Sequence, residues 1–232
     1  NWFTQPISSA VLKHKQQMLN QQYSNVVAVS EEHGGLGAQR ELSPFLTAAD
    51  EFTDPIANMA LSVDDDLCIM QATGEQRLVA GCVCSPSYWN LQSKIGKPLR
   101  HIHGPVISMN EKIGDPIERF INRAPLLQPF ERINWFIHGD SQRWHPVEEP
   151  LPQTPVATWH IRSERETLCR YSDEHLLFTI NTRFQPLAAI VDYPKAQADL
   201  RATLMNLDTD EVDYFGGPDK CEMLIGYLES LL

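Results

Sequence analysis

Apolar residues in the amino-terminal part of the chain recur at the three-to-four-residue spacing of a helix face. "SSAVLKHKQQMLNQQY" shows this spacing, with Ser8 or Ser9 placed to cap it. "HGGLGAQ", residues 33 to 39, interrupts the pattern. It lacks the lysine and the preceding strand of a phosphate-binding loop, so it reads as a glycine hinge. "SPFLTAADEFTDPIANMALSV" then supplies one or two short helices. Residues 1–63 are a helical lead-in on this reading.

From residue 64 the period changes to that of strands. "DLCIMQA" and "QRLVAGCVCS" are apolar runs parted by "TGE", the signature of a hairpin. "SPSYWNLQSKIG" returns to helical spacing, with Ser85 or Ser87 to cap and Gly96 to terminate. "GDPIERFINRAPLLQPF" predicts another helix, capped by Asp115 with Pro116 at its first position. "RINWFIHGD", "TWHIRSERETLCRY" and "HLLFTINTRF" are three more strands, and proline-rich "HPVEEPLPQTP" (145 to 155) is a loop. Past Pro186 the pattern is helical again, broken at Pro194 and "FGGPD", and the tail "CEMLIGYLESLL" is amphipathic enough to dock on the core. Five strands wrapped by helices predict a single α+β domain with one antiparallel sheet, its core spanning 64–190 and its C-terminal helices 191–232.

Composition narrows the class of partner. Against 30 Asp and Glu the chain has 19 Lys and Arg, a formal charge of -11, which argues against nucleic acid. No apolar run is long enough to span a membrane. The first residues lack a signal pattern, and five cysteines, mostly in apolar contexts such as "LVAGCVCS", read as reduced thiols of a cytoplasmic protein. Cys82 and Cys84 form a C-x-C pair, too short to hold a metal without further ligands.

Polar residues sit where strands should be apolar. Alternation along "ATWHIRSERETL" sends Trp159, Ile161, Ser163 and Arg165 one way and His160, Arg162, Glu164 and Glu166 the other. The second set is either a solvated face of cross-strand ion pairs or a polar pocket wall whose Arg and Glu hold each other charged and relay protons. In "RINWFIHG", Asn134, Phe136 and His138 share a face in the same way, and Thr179, Asn181 and Arg183 do so in "HLLFTINTRF". "KIGKPLRHIHGPV" places His101 and His103 between backbone-restricting turns, either as metal or heme ligands or as a His-rich surface loop. The eight histidines show no H-E-x-x-H spacing, and no G-x-S-x-G, dinucleotide or kinase signature occurs.

Taken together, "DDDLCIM", "CSPSYWNLQSKIGKPLRHIHGPV", "RINWFIHGD" and "HIRSERETLCRY…LLFTINTRFQPL" resemble the heme-dependent oxidative N-demethylases, in the same order and over roughly residues 64 to 190. The resemblance implies a PAS-like, five-stranded antiparallel sheet holding heme b. It implies oxygen-dependent removal of a methyl group from a small amine, with release of formaldehyde. Electrons would come from a separate FMN and iron–sulfur reductase, because the chain has no flavin or ferredoxin signature. On the matching positions, His103 of I-H-x-P-V is the axial iron ligand, with His101 and then His138 as alternatives. Arg162, Glu164 and Arg165 match R-x-E-R as the catalytic group: the carboxylate meets a cationic amine or relays protons, and an arginine binds a heme propionate or polarises oxygen. Arg132, Asn134 and Trp135 match R-x-N-W as pocket wall. Relatives usually have glutamine where Glu166 stands, and "G-P-V-I" after His103 replaces their P-V-P ending. The competing readings are a PAS-like heme sensor without catalysis, and a heme-free pocket for another ligand.

Overall fold

In a computed structural model, described for residues 2–47, 50–102 and 107–231 (backbone alone over 107–113), the lead-in folds as expected into helices but also contains a strand. Helix α1 (Ser9–Val26) buries Val11, Met18, Leu19 and Val26, as its spacing requires. Lys15 lies on the same face, and its buried ammonium donates to the carbonyls of Ala60, Val63 and Asp65 at 2.5–3.0 Å. Strand β1 (Val27–Val29) leaves the helix directly. The glycine segment expected to be a hinge is instead the start of helix α2 (Gly35–Leu42), entered through Gly34 at φ 75°. Gly35 serves packing: a Cβ there would come within 2.2 Å of the Val79 carbonyl oxygen. A 3-10 turn (Ser43–Phe45) and helix α3 (Pro55–Ala60) complete the lead-in.

The sheet adds β2 (Asp66–Gln71), β3 (Leu78–Cys82), β4 (Phe130–His138), β5 (His160–Arg170) and β6 (His175–Pro186). Its order is β1-β3-β2-β6-β5-β4, antiparallel throughout. Six strands therefore replace the five expected. The five read from sequence form the contiguous block from β3 to β4, and β1 is a three-residue edge too short to display a period.

Between β3 and β4 the chain departs from expectation twice. "SPSYWNLQSKIG" forms a 3-10 turn at Leu91–Ser93 and otherwise runs as loop, because Tyr88 takes a positive φ of 53° that no helix accommodates. After helix α4 (Leu99–Ile102), helix α5 runs Ile107–Arg123, so Pro116 lies inside it rather than at its first turn. Asp115 is not its cap; its carboxylate pairs with Arg100. The C-terminal expectation holds: α6 (Pro194–Met205), α7 (Thr209–Phe215, with an Asp208–Glu211 capping box) and α8 (Pro218–Ser230) are divided where proline and the glycine pair stand. Leu224 and Leu228 of the tail are fully buried.

Strand register assigns the faces. On one face Leu67, Ile69 and Leu177 pack under α1–α3, while Ile137 and Ile161 pack under α6–α8. On the other, Cys68, Met70, Leu176, Phe178 and Leu168 meet Leu99 and Ile102 of α4 and Ile117 and Ile121 of α5. Continuing along β5 on that second face, the side chains after Leu168 are Glu166, Glu164, Arg162 and His160. The five cysteines are free and buried. Among the described residues, no helix is long and apolar enough to cross a membrane.

Candidate active site: a buried ionic wall

The structure decides between the two readings of β5. Arg162 is 0% exposed, Glu164 6% and Glu166 4%, so the ionic face is an interior wall and not a solvated surface. Register brings the β4 residues opposite: Arg132 faces Glu166, Asn134 faces Glu164, Phe136 faces Arg162 and His138 faces His160. Arg162 donates to Glu164 Oε1 at 2.8 Å, to the Ser85 carbonyl, and to Thr182 Oγ1 at 3.2 Å. The Phe184 ring centroid lies 5.6 Å from its Cζ. Its Nη1 has no partner among the described residues. Burying an unsatisfied donor costs on the order of 1–3 kcal/mol, so an oxygen acceptor brought by a ligand would relieve a standing penalty. Exposed Arg132 reaches back to Glu166, yet burial still holds that carboxyl above its usual range. Asn134 Oδ1 accepts from the Trp135 backbone N–H at 2.9 Å.

At the end of β4, His138 is wholly buried. Its Nε2 lies 3.0 Å from Ser87 Oγ, and Tyr88 stacks on it at 4.9 Å with the rings 2° from parallel. Burial first, and Arg162 second, push its pKa down to about 3, so the ring is neutral at physiological pH. Nδ1 is unpartnered. The positive φ of Tyr88 is a strained conformation for a bulky residue, held because its N–H donates to the His145 carbonyl at 2.7 Å. His145 is itself gripped at both ring nitrogens, Nδ1 2.6 Å from Glu149 and Nε2 3.1 Å from Asp140. Burial and the nearby acids push Tyr88 up to about 12.

The sequence-derived residues divide into three groups. Arg162, Glu164, Arg132, Asn134 and His138 share the wall. Arg165 and Trp135 lie across the sheet, Arg165 on Glu131 at 2.7 Å and Trp135 against Phe215 at 5.8 Å. His101 is exposed on α4, in helical and not extended backbone. His103 lies outside the described residues; the residue before it, Ile102, is packed on the same sheet face as the wall. Tyr88, His145 and Phe184 escaped the sequence reading, the first two because their segments look like a helix and a proline-rich loop.

A family model described as haem-dependent oxidative N-demethylase, alpha subunit-like, matches residues 11–222. The chain belongs to that family. No curated protein matches the sequence. The family's description points to heme and to oxidative N-demethylation, and the wall can be tested against that cofactor. An unpartnered, fully buried guanidinium nitrogen is a donor suited to a propionate or a bound oxygen ligand. A neutral imidazole with an unpartnered nitrogen suits the same environment. These residues fit a heme of this family.

Proposed function

We propose that the chain is the heme b-binding catalytic unit of an oxygen-dependent oxidative demethylase, acting on a small N-methylated amine with electrons from a separate FMN and iron–sulfur reductase. The carrying observation is the buried wall itself: Arg162 and Glu164 are paired in the interior with one guanidinium nitrogen left to a ligand. With it goes a single domain whose PAS-like core occupies 64–190, its sheet extended by β1 from the lead-in.

In this reading His103 holds the iron, and the bound heme supplies a site for dioxygen activation. Arg162 would offer Nη1 to a heme propionate or to dioxygen, its orientation fixed by Ser85, Thr182 and Glu164. Glu164 pairs with the ammonium of the substrate or holds the proton that leaves it. His138, neutral and locked by Ser87 and Tyr88, presents its Nδ1 and excludes water from that end of the wall. Arg132 keeps Glu166 covered at the rim. Arg165 and Trp135 act from the other face by holding β4, β5 and α7 together.

The test is an absorption spectrum of protein reconstituted with heme, repeated for His103→Ala. A strong band at roughly 400 nm in the parent, shifted or lost in the variant, is expected. Formaldehyde formed from dimethylamine, dioxygen and a reductant completes it. Heme binding without product would favour the sensor, and a colourless protein would favour another ligand.

A further inference from the structure

Arg162 shares its supports with a second guanidinium. Arg143, in the loop after β4, donates Nη1 to the Thr182 carbonyl at 3.0 Å, and Arg162 donates to Oγ1 of the same residue at 3.2 Å. Further along β6, the Phe184 ring receives both cations, its centroid 5.8 Å from Cζ of Arg143 and 5.6 Å from Cζ of Arg162. The loop is held on either side of Arg143. The Gln142 N–H donates to Asp140 Oδ1 at 2.7 Å, and Trp144 packs on the cluster under α1–α3. Arg143 is half-buried where Arg162 is fully buried, so the pair runs from the interior toward solvent.

The charges there do not balance. Arg162 has Glu164 as its ion pair, whereas Arg143 has none among the described residues. The acids that act on Arg143 are engaged elsewhere. Asp66 accepts the Cys84 and Ser85 N–H groups on its two oxygens at 3.0 and 2.7 Å, and Asp64 accepts from Ser8. Burial is the main cause that holds the Arg143 guanidinium below its ordinary pKa, and repulsion from Arg162 adds to it. Two like charges on one residue and one ring, with Arg162 Nη1 unpartnered, make a site short of one anion. A carboxylate fits it, being planar, singly charged and able to give one oxygen to each guanidinium. A neutral ligand would leave the excess charge in place.

We propose that Arg143 and Arg162 form a clamp for a single carboxylate group, with Arg143 as its outer arm. The carboxylate comes either from a heme propionate, where the inference rests on the heme reading above, or from a small free acid.

Heme-free protein titrated with hemin and with hemin dimethyl ester, whose propionates carry no charge, tests the first source through the absorption band of bound heme. Acetate against chloride at equal ionic strength, read as melting temperature, tests the second. Hemin is expected to bind about tenfold tighter than its ester, and Arg143→Gln to lose that advantage with hemin while binding the ester unchanged. Arg143→Lys, which keeps the charge but not the planar fork, should recover part of it. Circular dichroism establishes that each variant is folded. Hemin and ester bound alike, with acetate raising the melting temperature of the parent but not of Arg143→Gln, would keep the clamp for a free acid. Hemin and ester bound alike with no acetate effect overturns the proposal, as does either effect left intact in folded Arg143→Gln. Should neither porphyrin bind, the heme reading fails, and the acetate response alone decides the clamp.

Discussion

The two ends of one sheet face are built on opposite principles. At one end Leu168, Phe178, Leu176 and Met70 meet α4 and α5 in an apolar cluster. Three alternate residues further along β5, the same face carries Glu166, Glu164 and Arg162, equally removed from water. The apolar end gains stability from every buried methylene. The ionic end recovers desolvation only through pairing, and a buried ion pair is often no better than the hydrophobic residues that could replace it. Arg162 with its unpartnered nitrogen does not even complete that pairing. The contrast points to a wall retained for its chemistry and an apolar end retained for folding.

The sharpest way to break that comparison is to remove one charge. Arg162→Met strands Glu164 in the interior and should cost about 3–5 kcal/mol in denaturant unfolding. The double change Arg162→Met with Glu164→Leu should recover most of that loss while abolishing demethylation. Leu176→Ala, at the apolar end, should cost about 2–5 kcal/mol with no rescue of this kind. A double variant as unstable as the single one would make the wall structural.

His138 gives the next effect. Folded, its ring takes a proton only near pH 3, against 6.5 for an unperturbed imidazole, so acidification across that window favours the unfolded chain. His138→Phe should be less stable at pH 7 but lose less melting temperature between pH 7 and 4 than the parent. An identical acid loss in both would show that His138 is not held neutral.

A smaller effect is expected at Glu166. Its carboxyl is raised by burial, so its ionisation works against folding as pH rises above the usual carboxylate range, and the group favours the folded state only at low pH. Glu166→Gln should therefore raise the melting temperature at pH 7 more than at pH 4. A gain independent of pH would contradict the raised carboxyl. Least of all, Arg165→Ala on the opposite face should cost under about 1 kcal/mol, since its partner Glu131 is largely exposed. A loss as large as that of Arg162→Met would erase the distinction between the faces.

Much of this was legible in the residues. The alternation in "HIRSERE" put Arg162, Glu164 and Glu166 on one side, and the fold agrees. Their burial was not legible, because a period of two is the same for a solvated face and an interior one. Tyr88 lies in a segment of helical spacing, and apolar spacing does not reveal a positive φ held by a distant carbonyl. "GDPIERF" predicts a helix start at Pro116 because a proline at a first turn and one within a helix share the same local string. His145 looked like part of a loop until its two carboxylates closed around it.

By itself the sequence determined the α+β class, the five long strands, their faces and the resemblance carried by "IHGPV" and "RSERETL". Each of these depends on periodicity or on a short string, which are local properties of the chain. Only the tertiary structure decided that the ionic face is interior, that β1 extends the sheet, and that Arg162 meets Ser85 across 77 residues. Burial and pairing depend on what the rest of the chain lays against a residue, and no local pattern contains that.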